Sequence, residues 1–362
     1  KIMNDVLIIA EAGVNHNGDI NLAKELVSVA AEAGADIVKF QTFKADKFVT
    51  KAAEKAKYQK ENSGVEESQY EMLKKLELDE AMHFEIIECC KENNIKFMST
   101  AFDFDSLELL ADKFNIDTLK IPSGELTNAP LVLAHAQKKR DLILSTGMAT
   151  IKEIEECLGV IAFGFTASIE DKPNPEAFRE AYASNVGQKL LHERVSILHC
   201  TTEYPAPINE VNLNVLRTLG DTFGLPIGYS DHTEGIIIPI AAAALSATII
   251  EKHFTLDKNM EGPDHKASLD PIELKEMVSS IRTIENAMGD GIKKPQKSEL
   301  ANINIARKSI VAELEINAGE IIKENMISIK RPGTGKSPYT YWDVIGSIST
   351  KNYKPGDLIK KN

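Results

Sequence analysis

The chain has 362 residues, 43% of them hydrophobic and 27% charged, and carries a net charge of -12. Such a composition supports a large core and excludes a disordered chain, while the acidic balance excludes nucleic acid or an anionic membrane as the main partner and requires any anionic substrate to be held by local cations. Four cysteines, Cys89, Cys90, Cys157 and Cys200, form neither a CxxC pair nor a disulfide framework, which with no apolar run near the roughly 20 residues of a membrane helix points to a cytoplasmic protein.

Read from the amino end, "KIMNDVLIIAEAG" is too short in apolar length for a secretory signal and reads as a first strand. It opens a series of eight short, β-rich apolar runs, each followed by a helical pattern: "VLIIAEAG", "DIVKFQTF", "IKFMSTAF", "DTLKIPSGE", "DLILSTGMA", "VSILHCTTEYP", "LPIGYSDH" and "ATIIEKHF". Near-continuous apolar strands alternating with amphipathic helices predict a parallel sheet covered on its outer face. Eight such units predict a closed α/β architecture, the (β/α)8 TIM barrel, of roughly 250 residues. A doubly wound open sheet is the alternative, but its GxGxxG fingerprint is absent.

Helix ends are marked: Thr150 with Glu153 predicts a capping box, Asp270-Pro271 an N-cap with a first-turn proline, and Gly34 and Gly289 stand where C-caps belong. Two stretches exceed the minimal repeat. Residues 44–78 read as a long polar loop after strand two, where function collects, and residues 163–194 as a charged, proline-containing insertion before strand six with no evident role. The barrel takes residues 1–288, a linker 289–306, and a small β-rich domain 307–362. In that last segment a weak repeat, "INAGEIIKEN" and "YKPGDLIKKN", predicts two similar β-turn units facing each other. A domain of about 55 residues is small enough to want support from a neighbour.

The eighth run ends in Glu251, Lys252 and His253. Strand alternation puts Glu251 and His253 on one face and Lys252 on the other, and taken alone they read as a solvated tip. Every other run ends alike: Glu11 on strand one, Lys39 and Gln41 on two, Thr100 on three, Lys120 with Ser123 and Glu125 on four, Ser145 on five, Thr202 and Tyr204 on six, Ser230 and His232 on seven. A barrel assembles its active site from the carboxyl ends of several strands, so these residues form a ring. Two lysines with Thr100, Ser123, Ser145 and Ser230 describe a pocket for an anion such as phosphate plus carboxylate. His232 and His253, on adjacent strands with Glu11 across the barrel, are candidate ligands for a divalent cation with open water positions; satisfied polar residues or general acids are the plainer alternative.

The motifs "AEAGVNHNG", "VKFQTF", "KIPSGE", "STGMAT", "HCTTEYP", "GYSDHT", "EKHFTLD", "GPDH" and "RPGTG" stand in the order and spacing of bacterial sialic acid synthases. The chain resembles this N-acetylneuraminate synthase family from residue 6 to its end, and its C-terminal segment resembles the antifreeze-like SAF domain. The resemblance implies a transferase that condenses phosphoenolpyruvate with an N-acylated mannosamine-type sugar and releases phosphate. It also implies a domain-swapped homodimer and a divalent metal, Mn2+ or else Mg2+ or Co2+. It assigns Lys39, Thr100, Lys120, Ser123, Ser145, Thr202 and Ser230 to phosphoenolpyruvate, although Thr202 stands where some relatives carry Asn. His232 and His253 become metal ligands, with Glu11 beside the metal and its water. Gln41, Glu125, Tyr204, Glu251 and Asp264 become contacts to the sugar or the reacting centre, and Arg331 reaches a partner's barrel to bind the N-acyl group.

N-acetylmannosamine, giving N-acetylneuraminate, is the main reading. Legionaminic acid synthesis from 2,4-diacetamido-2,4,6-trideoxymannose is the alternative, which the motifs do not separate. A non-catalytic sugar-binding barrel is a remote third, having no need of two phosphate lysines and a histidine pair together.

Overall fold

Eight parallel strands pair in chain order and close into a barrel: β1 (Leu7–Gly13), β2 (Ile37–Thr42), β3 (Lys96–Ala101), β4 (Thr118–Ile121), β5 (Asp141–Ser145), β6 (Val195–His199), β7 (Ile227–Asp231) and β8 (Ile249–His253). The computed structural model describes residues 5–55, 67–168 and 170–360. The expected TIM barrel is therefore the observed one, and β1 closes it by pairing with β8.

Period-two alternation divides each strand between two environments. Outward residues such as Ile8, Ala10, Val38, Phe40 and Ile250 join one core with the surrounding helices. Inward, Ile9, Ile37, Met98, Ile143, Leu198 and Ile249 form a separate apolar layer. Two residues further along the same faces stand Glu11, Lys39, Thr100, Ser145 and Glu251, all buried. The strand interior thus changes from apolar plug to charged layer within one alternation step. Gly228 belongs to the plug: a Cβ there would lie 2.5 Å from Leu198 Cδ2 and 2.7 Å from Ile249 Cβ, so the two larger side chains occupy its space.

The predicted helix signals are present. Thr150 and Glu153 form a reciprocal capping box on helix Ile151–Thr166, Asp270 caps Pro271–Met288 with its proline in the first turn, and Gly34 ends Ile20–Ala33 at φ +84°. Residues 44–78 are not the plain loop expected. They contain helices Ala45–Phe48 and Gln69–Lys75, the second started by a Ser68–Glu71 capping box, while residues 56–66 lie outside the described residues. Met72, Leu73 and Leu76 pack with Val14, Phe43 and Ala45, and this local apolar burial is what the polar composition concealed. The insertion before β6 forms helices Pro175–Ala183 and Asn185–Arg194, capped by Asn174 and Ser184. Since it joins a helix to the following strand, it belongs to the amino-end face of the barrel, opposite the polar strand ends.

The chain divides into compact units Lys1–Gly289 and Asp290–Asn362. In the second, the segment expected as linker carries helix Leu300–Ala306, followed by an antiparallel pair, β9 (Ser309–Ala312) and β10 (Ile327–Lys330). The repeat units face each other as predicted: Ile316 and Tyr353, their first residues, exchange backbone hydrogen bonds of 2.9 Å in both directions. Gly319 and Gly356 supply the left-handed turn position in each, at φ +86° and +93°. Among the described residues no helix is long and apolar enough to cross a membrane.

Two histidines away from the strand ends make stability depend on pH. Burial lowers both His16 and His135 to about 4 from an ordinary 6.5. Between those values the unfolded chain binds protons that the folded chain refuses, so stability is full above pH 6.5 and falls as the pH drops toward 4. At 1.36 kcal/mol per pKa unit, each contributes a loss of about 3 kcal/mol when fully titrated. His135→Leu should flatten the decline of melting temperature from pH 6.5 to 4; an unchanged slope would remove His135 from this account.

Candidate active site

The charged layer of the barrel is a four-group cluster. Glu251 on β8 accepts from both lysines: Lys120 Nζ lies 2.8 and 2.9 Å from its two carboxylate oxygens and Lys39 Nζ 2.9 Å from Oε2. Ser230 Oγ donates to Glu251 Oε1 at 2.8 Å. Lys39 also donates to Thr100 Oγ1 at 3.3 Å and lies 3.0 Å from Glu11 Oε2, close enough for an ion pair but not aligned as a hydrogen bond. Strand register explains the meeting, since Glu11 on β1 stands opposite Lys39 on β2 and opposite His253 on β8. Glu11 is therefore beside His253, not across the barrel as expected, because closure makes the first strand a neighbour of the last.

Burial resists charging of all four groups, and the pairings decide which of them overcome it. Burial opposes ionisation of Glu251, but Lys120 and Lys39 outweigh it and hold the carboxyl well below the usual range. Burial likewise opposes the Lys39 ammonium, which Glu11 and Glu251 restore and raise. Glu11 and Lys120 are the two left near neutrality. Burial raises Glu11 to about 7 against the pull of Lys39, with Glu251 adding repulsion, and burial lowers Lys120 to about 8 despite Glu251, with Lys39 adding to the depression. The floor thus holds a proton-exchanging carboxyl and a proton-exchanging amine beside a locked ion pair.

Around this floor a cavity of about 270 Å³ opens, lined by Gln41, Thr100, Ser123, Ser145, Thr202, Tyr204, Ser230, His232, His253 and Asp264 as well as the cluster. Ser123 Oγ accepts from the Gly147 amide at 2.9 Å and meets Cys200 Sγ at 3.2 Å. Gly147 has no room for a side chain, because a Cβ would fall 2.1 Å from Thr202 Oγ1. Thr202 Oγ1 is itself buried and without a hydrogen-bond partner among the described residues. Asp264, raised to about 6 by burial, is carried by a loop clamped to the one after β1. Asn17 Nδ2 donates to Glu261 O at 2.9 Å, His265 Nε2 meets Asn17 Oδ1 at 3.0 Å, and Asn15 Nδ2 donates to Ser268 Oγ at 2.9 Å.

Glu125 is not among the cavity-lining residues, and Arg331 belongs to the second unit. Glu125 sits in a 3-10 turn, Ser123–Glu125, which turns it off the cavity lining; its carboxylate accepts from Asn128 Nδ2 at 2.7 Å. Arg331 lies in the second unit, exposed, donating from Nε to Ala306 O at 3.1 Å. Sequence reasoning missed the opposite wall of the cavity, made by Val14, Phe48, Met72, Leu73, Leu76 and Phe102. The period of the strands carries no signal for these residues, all six of which lie in loops or in the two short helices after β2.

The histidine pair suits a divalent cation. The two rings lie 5.7 Å apart, with Tyr204 tilted by 33° against His232 at 4.1 Å. Burial keeps both imidazoles neutral at ordinary pH, lowering His232 to about 4 and His253 well below its usual value. His232 Nδ1 donates to Thr201 O at 2.6 Å, which leaves Nε2 as a lone-pair donor, while His253 Nδ1 is buried with no partner. Among the described residues no three His, Cys, Asp or Glu side chains converge as a cage, so the site offers two nitrogens and open positions.

Comparison with known proteins places this chain in company. A model of the NeuB family matches residues 26–293 and a model of the SAF domain matches residues 307–362. The N,N'-diacetyllegionaminic acid synthase of Campylobacter jejuni is 51% identical over 359 residues, 99% of this chain and 100% of that protein. The N,N'-diacetyllegionaminic acid synthase of Legionella pneumophila is 45% identical over 352 residues, 97% of this chain and 92% of the other. The crystal structure of N-acetylneuraminic acid synthetase from Leptospira borgpetersenii, in complex with citrate, superposes with a TM-score of 0.65 at 32% identity, covering 83% of this chain and 90% of that one.

Proposed function

The chain belongs to the NeuB family of sialic acid synthases, and from that membership we propose that it condenses phosphoenolpyruvate with 2,4-diacetamido-2,4,6-trideoxymannose and water to give diacetyllegionaminic acid and phosphate. Of the two sugars the sequence left open, this one is favoured over N-acetylmannosamine by the 51% and 45% identical relatives. The observation that carries the choice is the two-sided cavity, with its charged floor and its wall of Val14, Phe48, Met72, Leu73, Leu76 and Phe102. A deoxy carbon and two acetamido methyls suit such a wall better than a sugar rich in hydroxyls.

In this reading the methylene carbon of phosphoenolpyruvate attacks the aldehyde carbon of the open-chain sugar, forming the C–C bond, and the aldehyde oxygen becomes the new hydroxyl. Water adds to the enol carbon as cationic character develops there. Glu11, at about 7, takes one proton from that water, a proton that ends on the aldehyde oxygen, and the second leaves with the phosphate as the carbonyl forms. The tetrahedral intermediate collapses with cleavage of the C–O bond to phosphate, whose charge Lys39 and Lys120 stabilise, with Thr100, Ser123, Ser145, Thr202 and Ser230 around it. Glu251 holds both lysines in place, and Tyr204, Gln41 and Asp264 orient the sugar. A divalent cation such as Mn2+, held by His232 and His253, supplies Lewis-acid polarisation of the aldehyde oxygen when bound. Arg331 enters from the family resemblance as the pair of an N-acyl oxygen, in a homodimer.

The test is phosphate release and product mass with phosphoenolpyruvate, Mn2+ and each sugar. An apolar pocket rejects an added hydroxyl by about 10²-fold, so kcat/KM for the diacetamido sugar should exceed that for N-acetylmannosamine by about that factor. The reverse preference overturns the choice of sugar. In the same assay Arg331→Ala should raise the sugar KM and spare that of phosphoenolpyruvate; equal KM values for the sugar would remove Arg331.

A further inference from the structure

Lys252 is the one member of the β8 end that the cavity does not use. Alternation turns it away from Glu251 and His253, toward the helix layer, where it is fully buried beside Asp231. Its Nζ lies 2.5 Å from Asp231 Oδ2, and both side chains are 0% exposed. It also donates to the carbonyl of Thr233. Asp231 is satisfied on every side, accepting from Tyr229 Oη at 2.8 Å, from the Thr233 amide at 3.2 Å and from Thr233 Oγ1 at 3.0 Å.

The pair sits in an otherwise apolar layer that includes Tyr229, Ile250 and Phe254. An ion pair in such a place is weak as a source of stability, since well-packed apolar residues of similar volume often serve as well or better. Its position is more informative. Asp231 and Lys252 are register partners across β7 and β8, and the next residue in the chain after each, His232 and His253, is a candidate metal ligand. Lys252 grips the chain on both sides of His232, through the side chain of Asp231 and the carbonyl of Thr233. On its own strand it directly precedes His253. That matters because the rings are anchored unequally: His232 has the Thr201 carbonyl, whereas His253 Nδ1 has no partner. With no hydrogen bond to orient its ring, His253 depends on where the backbone at Lys252 is held.

We propose that the Lys252–Asp231 ion pair is a positioning pair for the cation site, fixing the backbone on both sides of His232 to the strand that carries His253. The proposal rests on the reading of His232 and His253 as metal ligands. Outer groups that orient metal ligands typically govern 10–100-fold in metal affinity.

The experiment is a Mn2+ titration of the full chain, following free Mn2+ by electron paramagnetic resonance, alongside thermal melts. In the Asp231→Asn/Lys252→Met double variant no charge is left unpaired and an amide oxygen still accepts from Tyr229 and Thr233, so melting should stay near wild type while Mn2+ affinity falls by about 10–100-fold. A merely structural pair would be replaced without loss, and wild-type Mn2+ affinity in the folded double variant overturns the proposal. Should the double variant fail to fold, Tyr229→Phe decides, since it removes one hydrogen bond from Asp231 and keeps the ion pair. About threefold weaker Mn2+ binding is then expected, and an unchanged isotherm overturns the proposal. His253→Ala separates the premise: if the wild type shows no saturable Mn2+ site, or His253→Ala leaves that site unchanged, the metal reading fails and the positioning role falls with it.

Discussion

Glu251→Gln is expected to lower the stability of the barrel by roughly 3–5 kcal/mol and to abolish turnover, because it removes the shared partner of two buried cations. In the native site both carboxylate oxygens face Lys120, at 2.8 and 2.9 Å, and Oε2 also faces Lys39 at 2.9 Å. A neutral amide leaves Lys39 with Glu11 as its one carboxylate and Lys120 without its own, both side chains being buried. Urea denaturation measures the first effect and phosphate release the second. The double variant Glu251→Gln/Lys120→Met should regain part of the stability, since the stranded ammonium is gone, while remaining inactive. A wild-type unfolding midpoint for Glu251→Gln would show that the four charges are held by solvent and not by one another.

Removal of the cation should be as severe for activity and mild for the fold. Lewis-acid polarisation contributes several kcal/mol to such a reaction, and about 4 kcal/mol corresponds to roughly 10³-fold in rate. Chelation with EDTA and the substitution His232→Ala should therefore converge on losses of about 10³-fold or more, with added Mn2+ rescuing only the chelated wild type. Melting of His232→Ala should stay close to that of the metal-free wild type, since the ring packs on Tyr204 at the cavity edge and not in the apolar plug. Near-normal turnover in the presence of EDTA would remove the metal from the mechanism.

These expectations rest on features of unequal legibility in the chain. The eight strands, their outward cores and their polar inner ends follow from local periodicity, because the strand repeat of two assigns each side chain a face whatever the neighbours are. So do the capping box at Thr150 and the N-cap with its proline at Asp270, which need only residues a few positions apart. The helix Gln69–Lys75 was hidden because its apolar residues bury themselves against Val14 and Phe43, an event its own polar flanks do not announce. Glu125 illustrates the limit of strand-end reasoning, since a single 3-10 turn after β4 takes it off the cavity.

By itself, then, the amino-acid sequence determined that this chain forms a barrel, which residues face into it, and that two lysines, two histidines and several hydroxyls gather at one end. Only the tertiary structure decided who meets whom. Lys39 and Glu251 are 212 positions apart in the chain, from 39 to 251, yet lie 2.9 Å from each other. Glu11 stands beside His253 because the first strand closes on the last, and Lys252 finds Asp231 on the far side of the same strands. The physical reason is range: periodicity is set by bonded geometry within a few residues, whereas the pairing of charges, and with it which groups stay ionised, is set by closure of the barrel and exclusion of water from its interior.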